Sequence, residues 1–265
     1  MKYWFLYLVL CLIILLLIFF IPRFIKDSNN KRQRELAKKL IKKESNINVP
    51  IVEDKKFYKR VMQTYKSKDG IPEYVFDNIK AKSKGWEYYF YDDQQARQFL
   101  LDHFGQIFVD KFDSFSCGAH KADLFRICWL YQMGGVYIDL DVELIADLDQ
   151  IIENKNYDFM LPLSDDISNK RLLNALIISD KGSDKIKKCI EKIMNLDNKE
   201  LKDNYLLILY TMQEALGKNF DYQLEERNKS KLYPLIPLKS KWKIFKNNKA
   251  IANSKYDNYN NGKFD

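Results

Sequence analysis

The stretch Gly118–Asp149, GAHKADLFRICWLYQMGGVYIDLDVELIADLD, decides how the rest of the chain is read. Its first half, ADLFRICWLYQM (122–133), is apolar nearly all round, as expected of a helix buried in a core. Gly134-Gly135 stops it. VYIDLDVEL (136–144) then alternates with the period of a strand, placing Val136, Ile138, Leu140 and Val142 on one face and Tyr137, Asp139, Asp141 and Glu143 on the other. Helix followed by strand predicts an α/β domain with a largely parallel sheet.

Two features of this stretch carry chemistry. Asp123 and Arg126 lie one turn apart on the helix, and charges on a buried helix are costly unless they pair or face a polar cleft. Asp139 and Asp141 bring two carboxylates to the end of an apolar strand. Such hard oxygen donors suit a divalent cation, and a cation there neutralises a departing diphosphate. Open α/β sheets bind ligands outside the carboxyl ends of their strands, which favours this triplet over the second one, Asp147-Leu148-Asp149.

Outward from this core, FYKRVMQTY (57–65) reads as a first strand, with a turn at Lys68-Asp69-Gly70. WEYYFY (86–91) reads as a second strand, and Asp93 as the cap of the helix QQARQFLLDHF (94–104). Later helices are expected over 185–196 and 203–217. No internal repeat is present.

The amino terminus is of another kind. Residues 3–21, YWFLYLVLCLIILLLIFFI, contain no charge, Gly or Pro. As a helix the run would be about 28 Å long, matching a bilayer's hydrocarbon core. It is longer than a signal peptide's apolar segment and lacks small residues at its end, so a permanent transmembrane anchor is expected. Residues 22–54 read as a basic stem, solvated or in contact with anionic headgroups, and 55–265 as the folded domain. The formal charge of +8 sits almost wholly in this stem: residues 23–43 hold nine Lys or Arg and two acids. From residue 44 onward 34 basic residues face 34 acidic ones, a balance that argues against a nucleic-acid-binding domain. The four cysteines show no metal-ligand spacing, and the two histidines, His103 and His120, read as structural or surface residues.

Through GAHKADLFRICWLYQMGGVYIDLDVELIADLD, VMQTYKS, IPEYV and WEYYFYDDQQARQFL, the chain closely resembles the DXD sugar-transferase family over about residues 57–150. That family includes initiating α-mannosyltransferases of fungal glycan synthesis and inositol-phosphoceramide mannosyltransferases. The resemblance implies a GT-A fold and a retaining transferase moving a hexose from a GDP- or UDP-sugar to a glycan or glycolipid, with Mn²⁺ or Mg²⁺ as cofactor. Carried over by position, Asp123 and Arg126 would contact the donor sugar. Asp139 would bind hydroxyls and organise the metal, and Asp141 would be a direct metal ligand. Gln63, Thr64 and Tyr65 would lie at the nucleotide end of the first strand. The carboxy-terminal third departs from the family pattern. Thr211-Met212-Gln213 replaces a Thr-Gly-Pro element, and AIANSKYDNYNNGKF (250–264) lacks the His and Trp of the usual metal-side segment, leaving Asn253 and Asp257 as alternatives for that ligand. The family resemblance places the domain in the lumen of the secretory pathway (Golgi or ER), whereas basic residues after the anchor favour the cytoplasm. Two rival readings stand beside it. An aspartate-nucleophile phosphatase wants Thr or Val where Glu143 stands, and a tethered sugar-binding scaffold would keep the fold without turnover.

Overall fold

A computed structural model describes the chain apart from residues 1, 44–46, 153–157, 165–170, 218–219, 221, 223, 229–241, 257–258, 261–262 and 265. Only the backbone is described for 2–13, 15–17, 19, 23, 225–228, 259–260 and 263–264. The first half of the chain runs α1 (Lys2–Leu40), β1 (Arg60–Thr64), α2 (Glu73–Lys82), β2 (Glu87–Tyr91), α3 (Asp93–Phe104), α4 (Gln106–Ser114), α5 (Gly118–Met133) and β3 (Gly135–Ile138). Next come β4 (Glu143–Leu144), α6 (Leu148–Ile151), β5 (Phe159–Met160), β6 (Pro162–Ser164), β7 (Arg171–Leu172) and β8 (Leu176–Ser179). The chain continues through α7 (Asp184–Met194), α8 (Asn198–Lys202), α9 (Leu207–Leu216), β9 (Leu224–Asn228), β10 (Trp242–Lys246) and β11 (Lys249–Asn253).

The strands form a mixed α/β architecture. One five-stranded sheet has the order β2-β1-β3-β8-β5, and a six-stranded sheet the order β4-β11-β10-β9-β6-β7. In the first sheet β2, β1 and β3 pair parallel, whereas β8 pairs antiparallel with both β3 and β5. The expectation of a largely parallel sheet therefore holds for this half alone. Alternation along the strands divides two cores. Met62, Tyr137 and Ile177 face the helices α3, α4, α5 and α7, whereas Val61, Val136, Ile138 and Ile178 face Ile244, Ile251 and Ala252 of the second sheet. Burial on both faces explains why these strands read as nearly continuous apolar runs.

Glycine decides the joint between α5 and β3. Gly135 has φ of 115°, and a Cβ there would lie 2.4 Å from the carbonyl oxygen of Arg60 on β1. Only glycine lets β3 lie against β1 at this point. The α3 cap is Asp92, not Asp93: its carboxylate accepts from Gln95 N–H at 2.8 Å while the Gln95 side chain accepts from Asp92 N–H at 3.1 Å, a reciprocal capping box.

The basic stem is less separate than its composition suggests. Within α1, Asn30, Gln33, Ala37 and Leu40 are buried, and the helix packs against α9. Among the described residues no helix is long and apolar enough to cross a membrane. The anchor expected over 3–21 falls mostly on residues described by backbone alone. Asn228 of the only N-glycosylation sequon, Asn228-Lys229-Ser230, ends β9, and its other two positions lie outside the described residues. Cys117, Cys128 and Cys189 are free thiols.

Candidate active site

A cleft of about 380 Å³ opens where β1 and β3 end beside the amino-terminal half of α5. Thr64, Tyr65 and Lys66 line one side; Asp123, Arg126, Tyr137, Asp139, Asp141 and Asn174 line its inner wall.

Arg126 organises that wall. Its Nη2 is 3.2 Å from Asp123, one turn back on α5, and its Nη1 is 3.1 Å from Asp139 at the end of β3. Nη1 also donates to the Asn174 carbonyl at 2.7 Å and Nε to the Ala122 carbonyl at 3.1 Å, while the guanidinium lies 4.4 Å from the Tyr137 ring centroid. A planar fork with fixed donors can hold such an arrangement; a point-like ammonium cannot. Asn174 closes the set by donating its side-chain amide to Asp123 at 2.6 Å. Burial raises the Asp123 carboxyl above its ordinary value, although Arg126 and Asn174 act the other way. The Tyr137 hydroxyl donates to Asp139, and burial pushes its own pKa well up, so it remains a donor.

The DXD residues are not on a strand, which corrects the sequence expectation. β3 ends at Ile138, and Asp139 to Val142 form a turn closed by Val142 N–H on the Asp139 carbonyl at 3.1 Å. The chain leaves the first sheet here and enters the second at Glu143, so two-residue alternation cannot persist. Both carboxylates nonetheless line the cleft, while Glu143 leaves it and accepts from Asn253 Nδ2 at 2.6 Å. The Asp141 carboxyl is pushed up to about 7, first by burial and then by the neighbouring Asp139 charge. Lys255 and Arg126 offset this in part. Asp147 and Asp149, by contrast, sit at the surface with structural partners: Lys82 at 3.2 Å, and Lys59 at 2.9 Å with the Trp86 indole also at 2.9 Å.

Most of the expected site residues converge. Gln63 does not: it is fully buried, accepts from the Tyr88 hydroxyl at 3.1 Å and is absent from the cleft wall. Thr64 lines the cleft while its hydroxyl ties β1 to β2 through the Tyr91 carbonyl at 2.8 Å. Asn253 donates its Nδ2 to Glu143 and does not line the cleft, and Asp257 lies outside the described residues. Thr211, Met212 and Gln213 lie inside α9, not in a loop. Among the described residues no group of three or more His, Cys, Asp or Glu is placed to hold a metal unaided. Sequence reasoning missed Asn174, whose signal was a lone amide within the apolar run LLNALII (172–178). It also missed Tyr205, which lines the cleft mouth.

Residues 30–158 match the family described as the glycosyltransferase sugar-binding region containing a DXD motif. Over these residues the chain is similar to DXD glycosyltransferases. The match includes Asp123, Arg126, Asp139 and Asp141, and it begins at Asn30, inside α1, where the helix enters the core. Inositol phosphoceramide mannosyltransferase 3 of Schizosaccharomyces pombe (strain 972 / ATCC 24843) is 33% identical over 67 residues, covering 25% of this chain and 18% of that protein. Inositol phosphoceramide mannosyltransferase 1 of the same organism is 26% identical over 114 residues, covering 41% and 35%. The aligned segments thus span well under half of those relatives' length. The solved structure titled PaToxG Glycosyltransferase overlaps with a TM-score of 0.46 at 15% identity, covering 74% of this chain and 79% of that one.

Proposed function

We propose that the chain is a metal-dependent, retaining hexosyltransferase of GT-A type that uses a GDP- or UDP-sugar as donor and a glycan or glycolipid as acceptor. The observation that carries this reading is the single network in which buried Arg126 joins Asp123 of α5 to Asp139 of the DXD turn, with Asp141 beside them in one cleft. Asp123 and Arg126 present an acceptor and a set of fixed donors to sugar hydroxyls, which is how a buried polar wall orients a hexose. Thr64, Tyr65 and Lys66 stand on the other side, where the Tyr65 ring can stack on a base and the Lys66 ammonium can meet a phosphate.

The donor set fits a divalent cation. Asp139 and Asp141 are hard oxygen ligands; burial and then the Asp139 charge raise the Asp141 carboxyl, and positive charge between the pair and a diphosphate would relieve their repulsion. Bound Mn²⁺ or Mg²⁺ would supply that charge and stabilise the departing diphosphate. In the transfer, the acceptor hydroxyl oxygen bonds to the donor's anomeric carbon and the carbon–oxygen bond to the phosphate breaks. The electron pair leaves with the nucleoside diphosphate, whose phosphate oxygen takes the hydroxyl proton. The residues contribute positioning: Asp123 and Arg126 fix the sugar, and Tyr137 and Arg126 fix the Asp139 carboxylate.

The apolar run at 3–21 supports a membrane-held protein; placing its cleft in the secretory lumen rests on the family resemblance, against the basic residues that follow the run. The function is tested by incubating the protein with a panel of GDP- and UDP-hexoses and Mn²⁺ and measuring released nucleoside diphosphate. One donor should be consumed. A panel with no release would leave the tethered scaffold as the better reading.

A further inference from the structure

The mouth of the cleft is framed by a residue that neither the DXD motif nor the buried network accounts for. Tyr205, in the turn between α8 and α9, keeps 61% of its surface exposed while lining the same cleft as Asp123 and Arg126. An exposed aromatic residue is ordinary by itself. Its mounting is not. The Tyr205 carbonyl accepts from His120 Nε2 at 3.0 Å, and the next N–H, that of Leu206, donates to Gln33 Oε1 at 3.0 Å. Before it, Asn204 donates its side chain to the Glu200 carbonyl at 2.6 Å. Gln33, His120 and Asn204 are all buried, and Gln33 reaches this turn from α1, 173 positions away in sequence. Buried side chains from α1 and α5, with Asn204 of the turn itself, fix the backbone of a turn whose Tyr205 side chain is left in solvent. The His120 ring lies 5.7 Å from the Tyr205 ring at 33°, and the small residues Gly118, Ala119 and Ala122 of α5 line the same cleft.

We propose that Tyr205 is the stacking platform for the acceptor hexose, and that Gln33 and His120 are positioning residues that hold it. The apolar face of a pyranose packs on an aromatic ring, and a ring fixed in advance costs little entropy to use. The inner wall, with Asp123 and Arg126 almost fully buried, suits the donor sugar, which must be seated first and deepest. The solvent-facing ring at the mouth meets the sugar that arrives last. The inference rests on the transferase reading, and acceptor-free donor hydrolysis by the wild type reports that reading separately.

The test uses the full chain and the donor identified by the panel, with methyl α-mannoside, α-glucoside and α-galactoside as acceptor probes. For Tyr205→Ala, acceptor-free release of nucleoside diphosphate should stay within about twofold of wild type, while the KM for the accepted methyl hexoside rises about tenfold with kcat little changed. Tyr205→Trp should restore the KM. Gln33→Ala should shift KM in the same direction by less, and should add nothing in the double variant with Tyr205→Ala, as expected of a residue acting through the ring. Saturation-transfer NMR with the same methyl hexosides reads the platform without turnover: signal seen with wild type should be lost in Tyr205→Ala. Equal signal in both, an unchanged KM, or a parallel fall in hydrolysis and transfer would overturn the proposal.

Discussion

Replacing Arg126 with lysine keeps the positive charge and removes only the fork, so it isolates the geometry on which the site rests. In the native structure one guanidinium meets Asp123 at 3.2 Å, Asp139 at 3.1 Å, the Asn174 carbonyl at 2.7 Å and the Ala122 carbonyl at 3.1 Å. A lysine ammonium is a shorter-reaching point charge and cannot span α5, the DXD turn and the 174 loop together. At least one buried carbonyl and one carboxylate then lose their donor. A stranded buried acceptor costs about 1–3 kcal/mol, and breaking a buried ion pair about 3–5 kcal/mol. Because the charge is retained, the lower part of the combined range applies: about 4–5 kcal/mol, or roughly a 10–15 °C fall in Tm for a domain of this size. Denaturant unfolding followed by circular dichroism measures it, and donor binding should weaken in the same variant because Asp123 and Asp139 are no longer held in register. A variant within about 0.5 kcal/mol of wild type, the usual range for surface changes, would show that Arg126 does not hold the two carboxylates together.

Three further outcomes follow from the packing. Deleting residues 1–22 should give a protein that no longer partitions with membranes yet keeps its melting transition; a truncated protein still in carbonate-washed membranes would contradict the single anchor. Deleting residues 1–41 removes buried Gln33, Ala37 and Leu40 and should cost several kcal/mol, since one fully buried leucine contributes about 1.5–3 kcal/mol; an unchanged denaturation midpoint would show that α1 is dispensable. Gly135→Ala, with its Cβ forced to within 2.4 Å of the Arg60 carbonyl at a φ of 115°, should leave little soluble protein, and normal yield with a native melting curve would refute the close approach of β3 to β1.

The legible parts of this chain were those where local pattern and tertiary role agree. The helix 122–133 and the strand after Gly134-Gly135 could be read because an all-round apolar helix and a doubly buried strand look the same in sequence and in space. Asp123 and Arg126 stood out because charge in such a helix demands a partner. The DXD turn was misread as strand because Val142 continues the apolar alternation begun by Val136. The chain changes sheets between them, and that is a tertiary event. Asn174 was hidden for the opposite reason: it acts from a distant loop, and only the fold brings it 2.6 Å from Asp123. The hairpin β10–β11 left a signal that was missed, Asn247-Asn248, both with positive φ, as a two-residue turn between antiparallel strands requires. The stem was set apart by its charge, yet its buried positions recur at Asn30, Gln33, Ala37 and Leu40, a helical stripe within a basic sequence.

The central claim is that donor chemistry occurs at the Asp139–Asp141 turn. The most direct measurement compares Mn²⁺-dependent release of nucleoside diphosphate from the accepted donor by wild type, Asp141→Ala and Asp147→Ala, each with and without a chelator. Wild type and Asp147→Ala should turn over alike and lose activity with the chelator, because Asp147 holds only a surface pair with Lys82 worth about 0–1 kcal/mol. Asp141→Ala should fall at least about a hundredfold, as expected when a group that stabilises developing charge is removed, while remaining folded. Full activity in Asp141→Ala, with loss in Asp147→Ala, would place the chemistry at the other triplet and contradict the account.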